Sequence, residues 1–171
     1  MPALLPGVRC YADASLTPDH ALPPPRTAGL GVFLVNTQVQ PVQTINIRAI
    51  MSGAHSVIMA EAAALVLAAT VNDLLNFNST TFLSDCKQLV HFLNATDQDH
   101  PPDWRMKSFT QLFTNCAARR QAKIYKINRN LNTTAMPWLD KPYLSQILLP
   151  HLLSLCALTV IIVIGALSWT H

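Results

Sequence analysis

A single glutamate lies inside an otherwise apolar helical segment of this 171-residue chain. Residues 57–60 and 62–65 on either side of Glu61 are apolar, and residues 62–71 contain no polar side chain except Thr70. A helix that is apolar on all sides is usually buried, and burying a carboxylate is costly unless a partner offsets the cost. This helix is therefore expected in the core of a layered fold, with a compensating group near Glu61.

Two further acids follow short apolar segments. Asp13 ends residues 8–13, which alternate in the manner of a β-strand, and Asp85 follows the short segment 81–84. The usual offset for several buried carboxylates is a hard divalent cation, which prefers oxygen ligands. The three acids together indicate a metal-dependent nuclease or phosphoryl-transfer site. Taken singly, Asp13 could form a turn at a strand end and Asp85 could cap a helix that begins at Cys86.

The motifs that contain these acids resemble the first three motifs of the ribonuclease H-like superfamily. The resemblance extends over about residues 7–136 and is closest to the plant group found in non-LTR retroelement polyproteins. The matching segments are Tyr11-Ala12-Asp13-Ala14-Ser15, Met59-Ala60-Glu61-Ala62-Ala63-Ala64-Leu65 and Leu83-Ser84-Asp85-Cys86-Lys87-Gln88-Leu89-Val90.

This resemblance implies Mg²⁺-dependent hydrolysis of the RNA strand in RNA–DNA hybrids. Two ions about 3.5–4 Å apart stabilise the attacking and leaving oxygens in such sites. Asp13 would bridge both ions, and Glu61 and Asp85 would complete the first ion's ligands. Ser15, two residues after Asp13, would contact the backbone of the hybrid.

The fourth motif departs from the family's pattern. Residues 128–135 look like the stretch that leads into the family's last helix, but Met136 stands where active members carry an aspartate. Lys126 stands where they carry a loop histidine. Asp140 is one helical turn further on, about 6 Å along the axis, so its short side chain would hardly reach the same ion; it remains the alternative source of the missing carboxylate. We therefore expect an incomplete second ion site and weakened activity.

Two other functions remain open. The chain could be a non-catalytic nucleic-acid-binding domain that keeps the fold, or a membrane-tethered interaction module derived from a retroelement. The sequence makes no prediction of oligomeric state.

The predicted fold class is α/β, a ribonuclease H-like mixed five-stranded sheet flanked by helices. Periodicity and turn residues predict three consecutive antiparallel strands before the first helix. The predicted strands are residues 8–13, 28–35, 42–50, 80–83 and 122–128, and the predicted helices are residues 56–77, 86–94 and 104–118.

Positive charge is concentrated late in this domain. Seven Lys and Arg residues and no acid lie between Arg105 and Arg129, whereas eight of the nine acids lie before residue 104. Such a stretch either faces nucleic-acid phosphates or forms an ordinary solvated helix face. Lys123, Lys126 and Arg129 are the candidate phosphate contacts.

The end of the chain is apolar and uncharged. After a linker at 137–143, residues 144–169 form a candidate transmembrane helix, in which Leu152, Ile161 and Trp169 mark the uncharged span 152–169. Lys141 and the basic stretch before it would leave the N-terminal domain on the cytosolic side of a single-pass protein. The alternative is a buried helix in place of the family's last one, in a nuclear or cytoplasmic protein.

The four cysteines lie far apart and show no zinc-ligand spacing. They are expected to be free thiols in a reducing compartment. The three Asn-X-Ser/Thr sequons, among them Asn132-Thr133-Thr134, are then chance occurrences.

Overall fold

The computed structural model describes residues 7–16, 26–40, 42–96, 99–132 and 161–165, the last of these as backbone only. The strands are β1 (Val8–Leu16), β2 (Arg26–Asn36), β3 (Gln43–Ala54), β4 (Thr81–Ser84), β5 (Lys123–Lys126) and β6 (Ile161–Gly165). The helices are α1 (Val57–Leu74), α2 (Lys87–Asn94) and α3 (Lys107–Arg119), with single 3₁₀ turns at Trp104–Met106 and Arg129–Leu131.

These strands form one mixed sheet in the order β5-β4-β1-β2-β3-β6. The first three strands are an antiparallel meander, and β4 and β5 add on the other side of β1 in parallel. Strands β1 to β5 confirm the predicted five-stranded sheet with three antiparallel strands first, and β6 adds to the edge of β3. The predicted strands and helices of this sheet domain agree with the structure to within a few residues at their ends.

The central helix α1 crosses β1 and β2 and packs against α3. Its N-cap is Ser56, as predicted, whose Oγ accepts a hydrogen bond from the Met59 N–H at 3.3 Å. Ala60, Ala64 and Ala68 recur every fourth residue and are completely buried. Such small side chains on one helix stripe let the helix lie close to its neighbours.

The same helix is long and apolar enough to cross a membrane, the one such helix within the described part of the chain. Most of it is buried inside the domain, because it packs against both the sheet and α3. Its composition is therefore that of a core helix.

The described part of the apolar tail differs from the sequence prediction. Residues Ile161–Gly165, which include Ile161 of the expected transmembrane helix, form β6 and pair antiparallel with β3. A run of β-branched residues favours an extended backbone, and the outer edge of β3 offers free hydrogen-bonding groups. At these five residues the structure therefore has a strand where the sequence predicts a helix.

The rest of the tail, with Leu152, Trp169 and the linker at 137–143, lies outside the described residues. Membrane insertion and a cytosolic N-terminal domain stay predictions.

Three of the four cysteines lie in the described part of the chain, and all three are free thiols, as predicted. Burial raises the pKa of the Cys10 thiol far above its usual range, which makes it unreactive.

Candidate metal and nucleic-acid site

Parallel pairing of β1 and β4 brings two of the predicted acids to the same end of the sheet. The last pair in register is Tyr11 opposite Leu83. Asp13 and Asp85 each lie two residues beyond this pair, in neighbouring strands that run in the same direction. Asp13 still belongs to β1, whereas Asp85 follows the end of β4. Strand register alone thus places these two carboxylates side by side.

The third acid reaches the same point from the helix layer. Glu61 lies in the second turn of α1, which packs on β1, and only 6% of the residue is exposed. Carboxylate oxygens of Asp13, Glu61 and Asp85 all lie within 4.8 Å of one another. The predicted convergence of the three acids is confirmed.

Burial makes ionisation of this cluster unfavourable. Desolvation, followed by repulsion from Asp85, raises the pKa of Asp13 to about 6. The backbone N–H of Ala14, the charge of Arg129 and a hydrogen bond with the Glu61 carboxyl lower that pKa, but by less.

The pKa of Glu61 is raised further than that of Asp13. Desolvation, with repulsion from Asp13 and Asp85, raises the pKa of Glu61 to about 9. Without a compensating cation, Glu61 is therefore protonated at neutral pH.

Asp85 is contacted by a cation and by an amide. Its Oδ2 lies 3.7 Å from Arg129 Nε, and its Oδ1 lies 3.4 Å from the side-chain nitrogen of Asn132. The alternative role of Asp85 as a helix cap is not found, because the N-cap of α2 is Cys86 and no side chain caps that helix end. The Asp85 carboxylate is thus left for the cluster.

The residues of this cluster fit a divalent cation. Three carboxylates in mutual reach are the oxygen donors that Mg²⁺ prefers. Moreover, Glu61 Oε2 and Asn132 Oδ1 are buried acceptors with no hydrogen-bond donor among the described residues. A buried unpaired acceptor costs about 1–3 kcal/mol, and a cation would remove that cost.

Asn132 is a site residue that no local sequence pattern marks as a candidate ligand. It follows the 3₁₀ turn at Arg129–Leu131, is completely buried, and donates a 3.2 Å hydrogen bond to the main-chain carbonyl of Ala12. Its position inside the stretch resembling the fourth family motif was the available signal. Complete burial also closes this sequon to glycosylation in the folded protein.

The candidate phosphate contacts differ in their distance from Asp85. Arg129 contacts Asp85, and Lys126 pairs in register with Ser84, the residue before Asp85. Lys123 lies three residues back along β5, about 10 Å away. Ser15 is half-buried in β1, and its two-residue separation from Asp13 places it on the same face of the strand.

Two other cations of the basic stretch form ion pairs within the domain. Arg120 Nε lies 2.7 Å from Asp73 Oδ1, and Arg119 lies 3.6 Å from the same carboxylate. Asp73 is near the end of α1, about 18 Å along the helix from Glu61. The basic stretch is therefore not one continuous face.

A further basic and aromatic group lies near the beginning of α1. Asp103 accepts a 2.6 Å hydrogen bond from the Ser56 hydroxyl, which anchors the next turn to the helix end that carries Glu61. Trp104 in that turn is 75% exposed, and the Arg105 guanidinium lies 5.4 Å from its ring centre. Met136 and Asp140, by contrast, lie outside the described residues.

Comparison with protein-family models and with curated protein sequences returns no match. The structure is nevertheless similar to solved ribonuclease H structures, each of which matches 75% of this chain. RNase H1 from Halobacterium salinarum NRC-1 is 20% identical, with a TM-score of 0.54 over 90% of that chain. The N-terminal RNase H domain of a Mycobacterium tuberculosis protein is 18% identical, with a TM-score of 0.58 over 92% of that chain.

A third similar structure is LC11-RNase H1 in complex with an RNA/DNA hybrid. It is 17% identical to this chain, with a TM-score of 0.54 over 90% of its length. At these identities the likeness concerns the fold. The chain has the ribonuclease H-like fold that its first three motifs predicted.

Proposed function

We propose that this chain is a ribonuclease H-type domain that binds RNA–DNA hybrids and hydrolyses their RNA strand with Mg²⁺, at a reduced rate. The observation that carries the proposal is the convergence of Asp13, Glu61 and Asp85 within 4.8 Å at one end of a ribonuclease H-like sheet. Kinship with the plant non-LTR retroelement group is part of the same proposal and rests on the three motifs.

The carboxylates have one common role in this function. Asp13 and Glu61 are buried, the three acids repel one another, and the raised pKa values of Asp13 and Glu61 indicate that the bare cluster is poorly satisfied. A bound divalent cation would neutralise that charge and supply stabilisation for an in-line displacement at phosphorus. Asp13 in the sheet and Glu61 in the core helix are held by packing on rigid elements, so their oxygens are preorganised.

The surroundings of the cluster suit a polyanionic ligand. Lys126 and Arg129 lie beside Asp85, and the charge of Arg129 also lowers the pKa of Asp13 and of Glu61. Trp104 is exposed beside Arg105, as expected of a side chain on which a nucleobase or sugar could stack. Positive charge therefore lies close to more than one of the three acids.

The reduced rate is proposed because of the fourth motif. Met136 has no oxygen to offer an ion, and Lys126 stands where the resemblance places a histidine. Removal of one electrostatic contact to a transition state typically costs about 10²–10³ in rate.

The test is a cleavage assay on a labelled RNA–DNA hybrid with the full chain. Slow cleavage that requires Mg²⁺ or Mn²⁺, and that Asp13→Asn abolishes, supports the proposal. Binding of the hybrid without any cleavage at high enzyme concentration would instead favour the non-catalytic nucleic-acid-binding domain. Asp73→Asn is a matched control, because this carboxylate lies at the far end of α1.

A further inference from the structure

Asn132 connects the end of the described domain to both strands that carry site aspartates. Its side-chain nitrogen lies 3.2 Å from the Ala12 carbonyl, directly before Asp13 in β1, and 3.4 Å from Asp85 Oδ1. These contacts span 120 and 47 residues of sequence. The amide therefore connects the main chain of β1 next to Asp13 with the Asp85 carboxylate.

The orientation of this amide is fixed by chemistry. A main-chain carbonyl and a carboxylate oxygen both require a donor, so the nitrogen of Asn132, and not its oxygen, must face Ala12 and Asp85. Asn132 Oδ1 is left completely buried, with no donor among the described residues. A neutral acceptor in this position beside three crowded carboxylates has a ready partner in a cation.

We propose that Asn132 Oδ1 is an additional oxygen ligand for a divalent cation held by Asp13, Glu61 and Asp85. This inference rests on the cation site of the proposed function. Amide oxygens are ordinary ligands of hard cations, and a neutral one adds no repulsion to the cluster. The same residue also positions Asp85 through its nitrogen, so one side chain would both orient a ligand and serve as one.

This role bears on the missing acid of the fourth motif. Asn132 lies four residues before Met136 in the sequence, and its amide contacts Asp85 of the cluster. A neutral oxygen neutralises none of the cation's charge. It therefore supports binding of a cation better than it supports the rate of cleavage.

The test measures cation binding, not activity. Isothermal titration of the full chain with MnCl₂ and with MgCl₂ compares the unmodified protein with Asn132→Leu, Asp85→Asn and Asn72→Leu. Asn72 is the matched control, because it is a buried amide that bonds Thr80 and the Phe77 carbonyl about 16 Å along α1 from Glu61. Thermal melts in EDTA report on folding of each variant.

We expect Asn132→Leu to weaken cation binding about 10–100-fold, the usual loss when a group around a metal is removed, while Asn72→Leu binds as the unmodified chain does. If Asn132→Leu binds normally and Asp85→Asn does not, the role of Asn132 is overturned and the proposed function stands. If Asp85→Asn also binds the cation normally, the role of Asn132 and the proposed function are both overturned.

A measurement on the unmodified chain keeps the test independent of how the variants fold. In a crystal structure with bound Ca²⁺, Asn132 Oδ1 should lie about 2.3–2.6 Å from the ion. An ion held by the three carboxylates with Asn132 Oδ1 outside its ligands would overturn the inference.

Discussion

Glu61 and Asp13 are buried against each other, and both carboxyl groups interact with the same backbone N–H, that of Ala14. One donor satisfies two acids poorly, and Asp85 adds further negative charge. The cluster therefore destabilises the folded, metal-free protein, as expected of a site organised for a positively charged ligand.

Replacing Glu61 by Gln should stabilise the metal-free protein. The pKa of Glu61 is about 9 in the folded protein and 4.5 for an ordinary glutamate, so keeping this side chain neutral at pH 7 costs up to about 3 kcal/mol relative to the unfolded chain. Glutamine avoids that cost and still offers a donor to Asp13. Urea denaturation in EDTA at pH 7 measures the gain.

The matched control for Glu61→Gln is Asp73→Asn. Asp73 is an acid on the same helix that pairs with Arg120 at 2.7 Å, so its loss should destabilise the protein. If Glu61→Gln destabilised the protein as much as Asp73→Asn does, the pKa of Glu61 would not be raised.

The stability of the metal-free protein should fall as pH rises from about 5 to about 9. Asp13 and Glu61 have folded-state pKa values of about 6 and about 9, against 3.8 and 4.5 for ordinary residues. Between these limits the folded state binds more protons than the unfolded state, so this contribution is present at low pH and is lost as pH rises. Denaturation midpoints across this range check the slope, and Glu61→Gln should flatten it.

Adding Mg²⁺ at pH 8 should recover much of this lost stability, because a ligand that binds only the folded state stabilises it. An Asp13→Asn, Asp85→Asn double variant serves as the control and should show little response. An equal response in that variant would place the cation elsewhere on the protein.

Removing Lys126 and Arg129 together should weaken binding to an RNA–DNA hybrid and make it less sensitive to salt. Each neutralised phosphate contributes about 0.7–0.9 to the slope of log affinity against log salt concentration, so the double alanine variant should lose between one and two units of slope. Fluorescence anisotropy at several salt concentrations measures this. Arg119→Ala is the control, because Arg119 lies beside Asp73 at the far end of α1, and a similar effect there would show that binding is diffuse.

Replacing Met136 by Asp should raise the rate of hybrid cleavage, by up to about 10²–10³. The physical reason is that a carboxylate would supply the charge that methionine cannot. Single-turnover cleavage by the full chain measures the gain, and Asp13→Asn in the same background should remove it. A variant that binds Mg²⁺ and hybrid but cleaves no faster would locate the defect away from position 136.

Local patterns in the sequence predict the type and order of the main elements and the identity of the three acids. Glu61 stood out because an isolated carboxylate in an apolar helix requires a partner, and Asp13 and Asp85 because they follow short strand-like segments. These are local patterns, and a period of two or of 3.6 residues can be recognised without knowing the fold.

Contacts between distant segments, by contrast, follow from the tertiary fold and have no local signal in the sequence. The register that aligns Asp13 with Asp85, the pairing of Arg120 with Asp73, and the burial of Asn132 against Ala12 each join residues far apart in sequence. The cations of the basic stretch lie close together in sequence, but Arg119 and Arg120 pair with Asp73 near the end of α1, whereas Arg129 contacts Asp85. The composition of the tail suits both a membrane helix and a strand. At Ile161–Gly165 the chain pairs with the edge of β3 as a strand, because unpaired backbone groups at a sheet edge favour an extended partner.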